Sequence, residues 1–280
     1  MITVPELAAE ALGSFLTTHM GRRFGSAHAN LIEALQSAAR LALECIGNSD
    51  ALYHSVEHTM LVTLVGYDIM KGRSLLASTS ASDYAHLIAA CLFHDIGFVR
   101  GILTGDGEYG YVIDADGGKV KLLRGSSDAA LMPYHVERSK LFVMDRLGDS
   151  RLLDAARISR AIEFTRFPIP AEPDHQDDEE GSLARAASLI GQLGDPHYLR
   201  KANALYYEFD EVGMNKQLGF ASPADLMDLY PQFYFNSLSA HLQTAIRYLN
   251  VTSSGRRWIA SLYSNVFRAE RELRLSATQR

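Results

Sequence analysis

The run Ala89-Ala90-Cys91-Leu92-Phe93-His94-Asp95-Ile96-Gly97 decides how this chain is read. Its first five residues have the apolar character of a helix interior, and its next two are an imidazole and a carboxylate side by side. Burying an unpaired charge costs several kcal/mol even after relaxation. A helix that delivers His94 and Asp95 into its own core must therefore pair them, and a metal ion answers that need. Adjacent helical residues point about 100° apart, so both reach one ion only near a helix end or with the ion beside the helix. Gly97 supplies the break.

Upstream, Tyr53-His54-Ser55-Val56-Glu57-His58-Thr59 leads into the apolar Leu61-Val62-Thr63-Leu64-Val65. A helix starting near Leu52 would place His54 and His58 on one face, about 5–6 Å apart at the β-carbon. Before it, Leu7, Ala11, Leu12 and Phe15, then Leu31, Ile32, Leu35, Ala38 and Ala42, recur near the helical period. Two helices between Pro5 and Asn48 follow, separated by the polar stretch from Gly21 to His28. The helix ending in His94 begins after the Ser- and Thr-rich turn of residues 78–82.

Downstream of Gly97 the texture changes. Glycines and short alternating apolar residues, Tyr111-Val112-Ile113 and Val120-Lys121-Leu122, predict a small β-hairpin or extended loop inserted near 105–125. Asp114-Ala115-Asp116-Gly117-Gly118 lacks the downstream acid of a calcium loop and reads as the hairpin turn. Helical pattern returns at 128–147, 152–163 and 182–193, the last stopped by Gly194-Asp195-Pro196. Phe167-Pro168-Ile169-Pro170 and the acidic run from Glu172 to Glu180 form a loop, with Asp177, Asp178, Glu179 and Glu180 a solvated surface. Leu226–Tyr230, Phe233–Leu249 and Ile259–Leu273 look helical, and aromatics such as Tyr206, Tyr230, Phe233, Tyr248 and Trp258 are core by default. The expectation is one all-α domain over residues 1–280, with a motif core at about 50–200 and C-terminal helices at 200–275 packed on it.

The bulk composition excludes several classes. Of 280 residues, 47% are hydrophobic and 21% charged, which is ordinary globular composition. The formal charge of −6, with Lys and Arg dispersed, gives no footprint for nucleic acid, so small molecules are the expected partners. Cys45 and Cys91 fit reduced thiols rather than a disulfide framework. Met1-Ile2-Thr3-Val4-Pro5-Glu6 lacks the basic-then-apolar pattern of a leader, and no apolar run approaches the roughly 18 residues of a membrane span. A cytoplasmic protein without membrane partners is expected; oligomeric state is not legible. Phosphate loops, Cys-x-x-Cys pairs and nucleophile elbows are absent from the sequence.

His58, followed by His94-Asp95 within Leu92-Phe93-His94-Asp95-Ile96-Gly97, resembles the HD-domain superfamily of metal-dependent phosphohydrolases. Tyr53-His54-Ser55-Val56-Glu57-His58-Thr59 resembles the segment of its cyclic-nucleotide phosphodiesterase branch in which a first histidine donates a proton and a second binds metal. The resemblance covers about residues 50–200 and implies an HD-type helical bundle. It makes His58, His94 and Asp95 metal ligands, with Asp95 shared between two ions, and His54 the general acid. His135 and Thr165 fall where second-ion or outer groups are placed. One or two divalent ions per chain (Mn, Fe, Zn, Ni or Mg) are implied, with a phosphoester substrate.

One departure stands out. Such proteins close the first-ion site with an aspartate on a late helix, in a pattern of Ala, Ala, Asp, Leu; here Ala186-Ala187 is followed by Ser188-Leu189. Asp195 lies seven residues on, roughly 10 Å farther along the axis; it and Ser188 are lesser candidates for a second-ion or substrate contact, and Asp195 reads most simply as a turn residue before Pro196. Gln192 shares that face and is a candidate substrate contact. Losing an anionic ligand weakens the hold on a divalent ion. The leading expectation is therefore a metal-dependent hydrolase of a phosphate ester. A catalytically degenerate module that senses a nucleotide or other small ligand is its rival, and a di-iron oxygenase on the same scaffold ranks last.

Overall fold

Thr3 opens the first helix through reciprocal hydrogen bonds: its hydroxyl accepts from the Glu6 N–H, and the Glu6 carboxylate accepts from the Thr3 N–H. The structure, a computed structural model, describes residues 2–170 and 178–278. Helix α1 (Val4–Phe24) packs against α2 (Ala29–Ile46), and α2 turns Leu35, Ala39, Ala42 and Leu43 inward. The next pair, α3 (Val56–Leu76) and α4 (Ala81–Phe93), forms the centre. Every residue of α4 from Tyr84 to Phe93 is buried, which is why its sequence is apolar on all sides. Ser80 and Asp83 cap its start reciprocally.

Around this centre lie α5 (His135–Leu147), α6 (Ala155–Glu163) and α7 (Glu179–Leu193). The C-terminal part comprises α8 (Tyr198–Glu211), α9 (Met214–Leu218), α10 (Pro223–Phe233), α11 (Ser239–Leu249) and α12 (Ser253–Thr278). The continuous helix expected over Phe233–Leu249 is interrupted: α10 passes through a π-helical turn, Tyr234–Leu238, before α11 begins. The all-α expectation holds, because the β-structure among the described residues is two short strands and an isolated bridge between Gly107 and Gly110. Strands β1 (Tyr111–Val112) and β2 (Lys119–Val120) pair antiparallel within the expected 105–125 insertion, Tyr111 opposite Val120. Asp114 accepts from the Gly118 N–H as the hairpin-turn reading requires. Among the described residues, no helix is long and apolar enough to cross a membrane.

Two further sequence expectations need correction. The helix carrying His58 starts at Val56 rather than near Leu52, so His54 lies in the bend before it. The acidic run is not simply solvated: Asp178 caps α7, Glu179 pairs with Arg73 at 3.0 Å and Glu180 with Arg157 at 2.6 Å. The rest of that run, Glu172 to Asp177, lies outside the described residues.

The segment after α4 is anchored by Arg138 of α5, which is fully buried. Its guanidinium donates to the carbonyls of Gly97 (2.7 Å), Val99 (2.8 Å) and Val112 and pairs with buried Asp106 at 2.9 Å. One side chain thus fixes the turn after the His-Asp pair, the following loop and β1. A β-carbon on Gly97 would stand 2.0 Å from the His135 carbonyl, so the chain turns directly against the start of α5.

Removing one partner of a buried ion pair leaves the other charge uncompensated. Arg138→Met is expected to lower unfolding free energy by roughly 3–5 kcal/mol in chemical denaturation. A second expectation concerns pH. His86 is buried and neutral: its Nδ1–H donates to the Ser82 carbonyl at 2.7 Å while Nε2 accepts from the Asp154 N–H at 2.8 Å. Burial pushes its pKa below the ordinary value, against the opposing pull of that carbonyl. Its stabilising contribution is full above the unfolded pKa of about 6.5 and is lost as pH falls through the lower folded value. Wild type should lose more stability on acidification from neutrality than His86→Gln, read from denaturation midpoints across pH.

Candidate active site

Helix α4 stops at Phe93, and a 3₁₀ turn over Ile96–Phe98 follows at once, so His94 and Asp95 sit at the helix end that the sequence required. Asp95 is 4% exposed. Its Oδ2 lies 3.0 Å from His94 Nε2 and 3.2 Å from His58 Nε2, and its Oδ1 lies 3.8 Å from His135 Nε2. The structure therefore brings His58, His94, Asp95 and His135 together. His54 joins them: one ligand atom from each of His54, His58 and Asp95 falls within 4.8 Å of the others.

The tautomers of this cluster carry chemical information. His94 Nδ1–H donates to the Cys91 carbonyl at 2.9 Å, and His135 Nδ1–H donates to the Met132 carbonyl. In a neutral ring each bond leaves Nε2 as a bare lone pair facing the Asp95 carboxylate. Although His94 Nε2 and Asp95 Oδ2 are close, neither is aligned for a hydrogen bond, and both are buried without a partner. Two lone pairs at that distance repel unless a proton or cation stands between them. Main-chain carbonyls that fix imidazole tautomers are the usual outer support of metal-ligating histidines. The donor set of imidazoles and one carboxylate suits Mn, Fe, Ni or Zn better than Mg, which prefers oxygen.

The surroundings set the charges. Burial alone would raise the Asp95 pKa; a positive charge shared with His94, the neighbouring His54 and a hydrogen bond from His58 hold it well below the ordinary carboxylate value. Burial lowers His58, and it lowers His135 to about 4, leaving these rings neutral near pH 7. His54 differs. Burial works against its charged form, yet Glu208 outweighs this and raises it. His54 Nδ1 lies 2.5 Å from Glu208 Oε2, while Glu208 Oε1 accepts the main-chain N–H groups of Tyr53 (2.6 Å) and His54 (3.2 Å). A carboxylate on α8 thus holds the bend before α3 and aims His54. Phe98 is stacked between two rings, 4.3 Å from His54 and 4.7 Å from His135.

The cluster opens into a cavity of about 350 Å³. His54, His58, Asp95 and His135 form part of its wall, as do Thr165, Ser188 and Gln192. Thr165 is partly committed, its hydroxyl donating to the Ile162 carbonyl at 2.7 Å. The register of α3 against α7 locates the other two. A β-carbon on Gly191 would meet Val62, and one on Gly66 would touch Ala187, so residue numbers rise on α3 as they fall on α7. The first turn of α3, with His58, faces the Gln192–Asp195 end, and Ser188 stands near Val65. Ser188 is thus not level with the imidazoles; Gln192, about 6 Å along the axis, is nearer. Gln192 neighbours the Tyr198 phenol in the cavity wall. Asp195, proposed from sequence as a second-ion or substrate group, does not line the cavity: its carboxylate pairs with Lys201 at 2.6 Å and accepts the His197 N–H at 2.8 Å.

Sequence reasoning missed two groups. Glu208 lies on the buried stripe of α8 with Ala202, Leu205 and Phe209, and an acid at a core-facing helical position was the readable signal. Arg185 sits within Leu183-Ala184-Arg185-Ala186-Ala187 and is 9% exposed in the cavity wall. Its Nε donates to the Phe164 carbonyl at 2.7 Å and its guanidinium lies 5.1 Å over the Phe164 ring, with no carboxylate partner among the described residues. Burial lowers its pKa.

The sequence model of a family described as Npun_R2479-like matches residues 3–272, nearly the whole chain. The chain belongs to the Npun_R2479-like family. No curated protein and no solved structure matches it. In this Npun_R2479-like chain the register of α7 makes a direct prediction. Gln192→Asp should tighten Mn or Zn binding on the order of tenfold by adding an anionic group within one helical turn of the level of His58, and Ser188→Asp should do less. Titration with each metal checks this; a larger gain from Ser188→Asp would overturn the register argument.

Proposed function

We propose that this protein is a metal-dependent phosphoester hydrolase of the HD-domain superfamily, with His58, His94 and Asp95 as metal ligands and His135 as a further ligand. The observation that carries this reading is the buried Asp95 carboxylate faced by imidazole lone pairs whose tautomers are set by the Cys91 and Met132 carbonyls. A divalent ion in that cluster supplies Lewis acidity toward a phosphoryl oxygen and acidifies a coordinated water toward neutrality.

The chain's own residues do the rest. His54, with Nδ1–H held by Glu208, keeps a proton on the ring to pass from Nε2 to the departing oxygen. Glu208 stabilises the imidazolium and prevents the ring from turning, and Phe98 packs against its face. Arg185, buried without an acidic partner, favours an anionic ligand in the cavity. The absence of a carboxylate at Ser188 and Gln192 favours one rival, a module that binds its phosphoester as a sensor without turnover.

Elemental analysis of the purified protein combined with a phosphoester panel separates the two. The enzyme reading expects stoichiometric Mn, Fe, Ni or Zn and release of phosphate or alcohol; the sensor reading expects binding without release. His94→Ala/Asp95→Ala should lose both metal and turnover, and retained turnover in that double variant would overturn the mechanism. Glu208→Gln should keep the metal while kcat falls by about 10²-fold or more.

A further inference from the structure

The same cavity that receives the imidazole cluster is walled on its other sides by hydrocarbon. Phe167, Phe209, Leu218, Phe220, Leu226 and Phe233 line it, drawn from the loop after α6 and from α8 to α10. Phe167 lies parallel to Phe209 at 6.3 Å and edge-on to Phe233 at 6.0 Å, forming an aromatic frame. The polar groups of the wall are few or already engaged. Arg166 is paired with Glu163 and Glu137 and Thr165 with the Ile162 carbonyl, while Ser188 and Gln192 are the polar side chains that α7 adds beside Arg185. Gln232, Asn236 and Ser237 are exposed, which places them toward solvent. Among the described residues lining the cavity, Asp95 Oδ2 and the Tyr230 hydroxyl are the buried side-chain atoms without a partner.

A nucleoside entering this space would surrender the hydration of its base and sugar hydroxyls and find few replacements. Each unmet polar group in a buried site weakens binding by roughly 5- to 150-fold. A hydrocarbon chain loses nothing on leaving water and gains by burial. The cavity volume lies within the 300–1,000 Å³ range that encloses small organic ligands. We infer that the substrate is an amphiphilic phosphoester, the phosphate ester of a long-chain alcohol, with its phosphate at the imidazole cluster and its hydrocarbon chain against the α8–α10 wall. This assignment rests on the phosphoester reading of the cluster. Among the described residues of that wall, Arg185 is the cation without a carboxylate partner, and it is available to the anionic head.

The test uses the full-length protein with butyl, octyl and dodecyl phosphate below their micellar concentrations and with adenosine monophosphate. Calorimetry reads binding and phosphate release reads turnover. Affinity should rise by up to about fourfold per added methylene until the cavity is filled, and octyl phosphate should bind tighter than adenosine monophosphate. Leu226→Trp should narrow the gap between dodecyl and butyl phosphate; Leu229→Trp, at a half-exposed position of the same wall, serves if the first variant fails to fold. A flat dependence on chain length, or adenosine monophosphate binding as tightly as octyl phosphate, would overturn the inference. So would equal binding of dodecyltrimethylammonium, since adsorption would then ignore the head group. Chain-length-dependent binding without phosphate release would support the ligand class and count against hydrolysis. Release that is equally fast from adenosine monophosphate and dodecyl phosphate would support hydrolysis and remove the ligand class.

Discussion

A carboxylate held in a hydrophobic interior must be given positive charge, and the arrangement around Asp95 follows from that demand. Asp95 follows directly on a helix that is buried on every side, and only the cavity offers it any opening. Two other segments and its own answer: the first turn of α3 brings His58, the start of α5 brings His135, and the helix end itself brings His94. The approach of α5 depends on Gly97 having no side chain and on Arg138 tying its own helix to the Gly97 carbonyl. Packing and chemistry are therefore the same constraint here, because the contact that closes the core also closes the imidazole ring around the carboxylate.

Much of this was legible in the sequence. An apolar run ending in His94-Asp95 can be stable only at a helix end with partners, and Gly97 marked that end. The hairpin was visible in the glycines and alternating residues around Tyr111 and Val120. The start of α3 was misplaced because the apolar period runs back through Tyr53, whereas the bend before Val56 is held by Glu208, 155 residues away from Tyr53 in sequence. No local pattern reports such a partner. Ser188 was assigned the empty corner for a related reason: composition near Ala186-Ala187 is local, but level along α7 is set by the close meeting of Gly191 with Val62. Asp195 read correctly as a turn residue from Pro196 beside it, and Lys201 explains its burial.

The molecule divides its labour by sequence position. Helices α3 to α5 supply the imidazoles and carboxylate, while α8 to α10 supply most of the apolar wall. Glu208 on α8 is the exception, since it reaches across to aim His54. Because that helix also contributes Leu205 and Phe209 to the cavity, anything that displaces the wall also disturbs the proton donor.

The π-helical turn at Tyr234–Leu238 gives this wall an evolutionary handle. Asn236, Ser237 and Leu238 all border the cavity, and the turn holds more residues than an α-helical turn. Deleting a single residue there would convert the wide turn into an α-helical one, drawing in the stretch around Asn236 and Ser237 while leaving the register of α11 nearly unchanged. Chains differing by one codon at this point would present different surfaces to the same imidazole cluster, so length variation at the turn is a route to changed ligand preference that leaves His58, His94 and Asp95 in place.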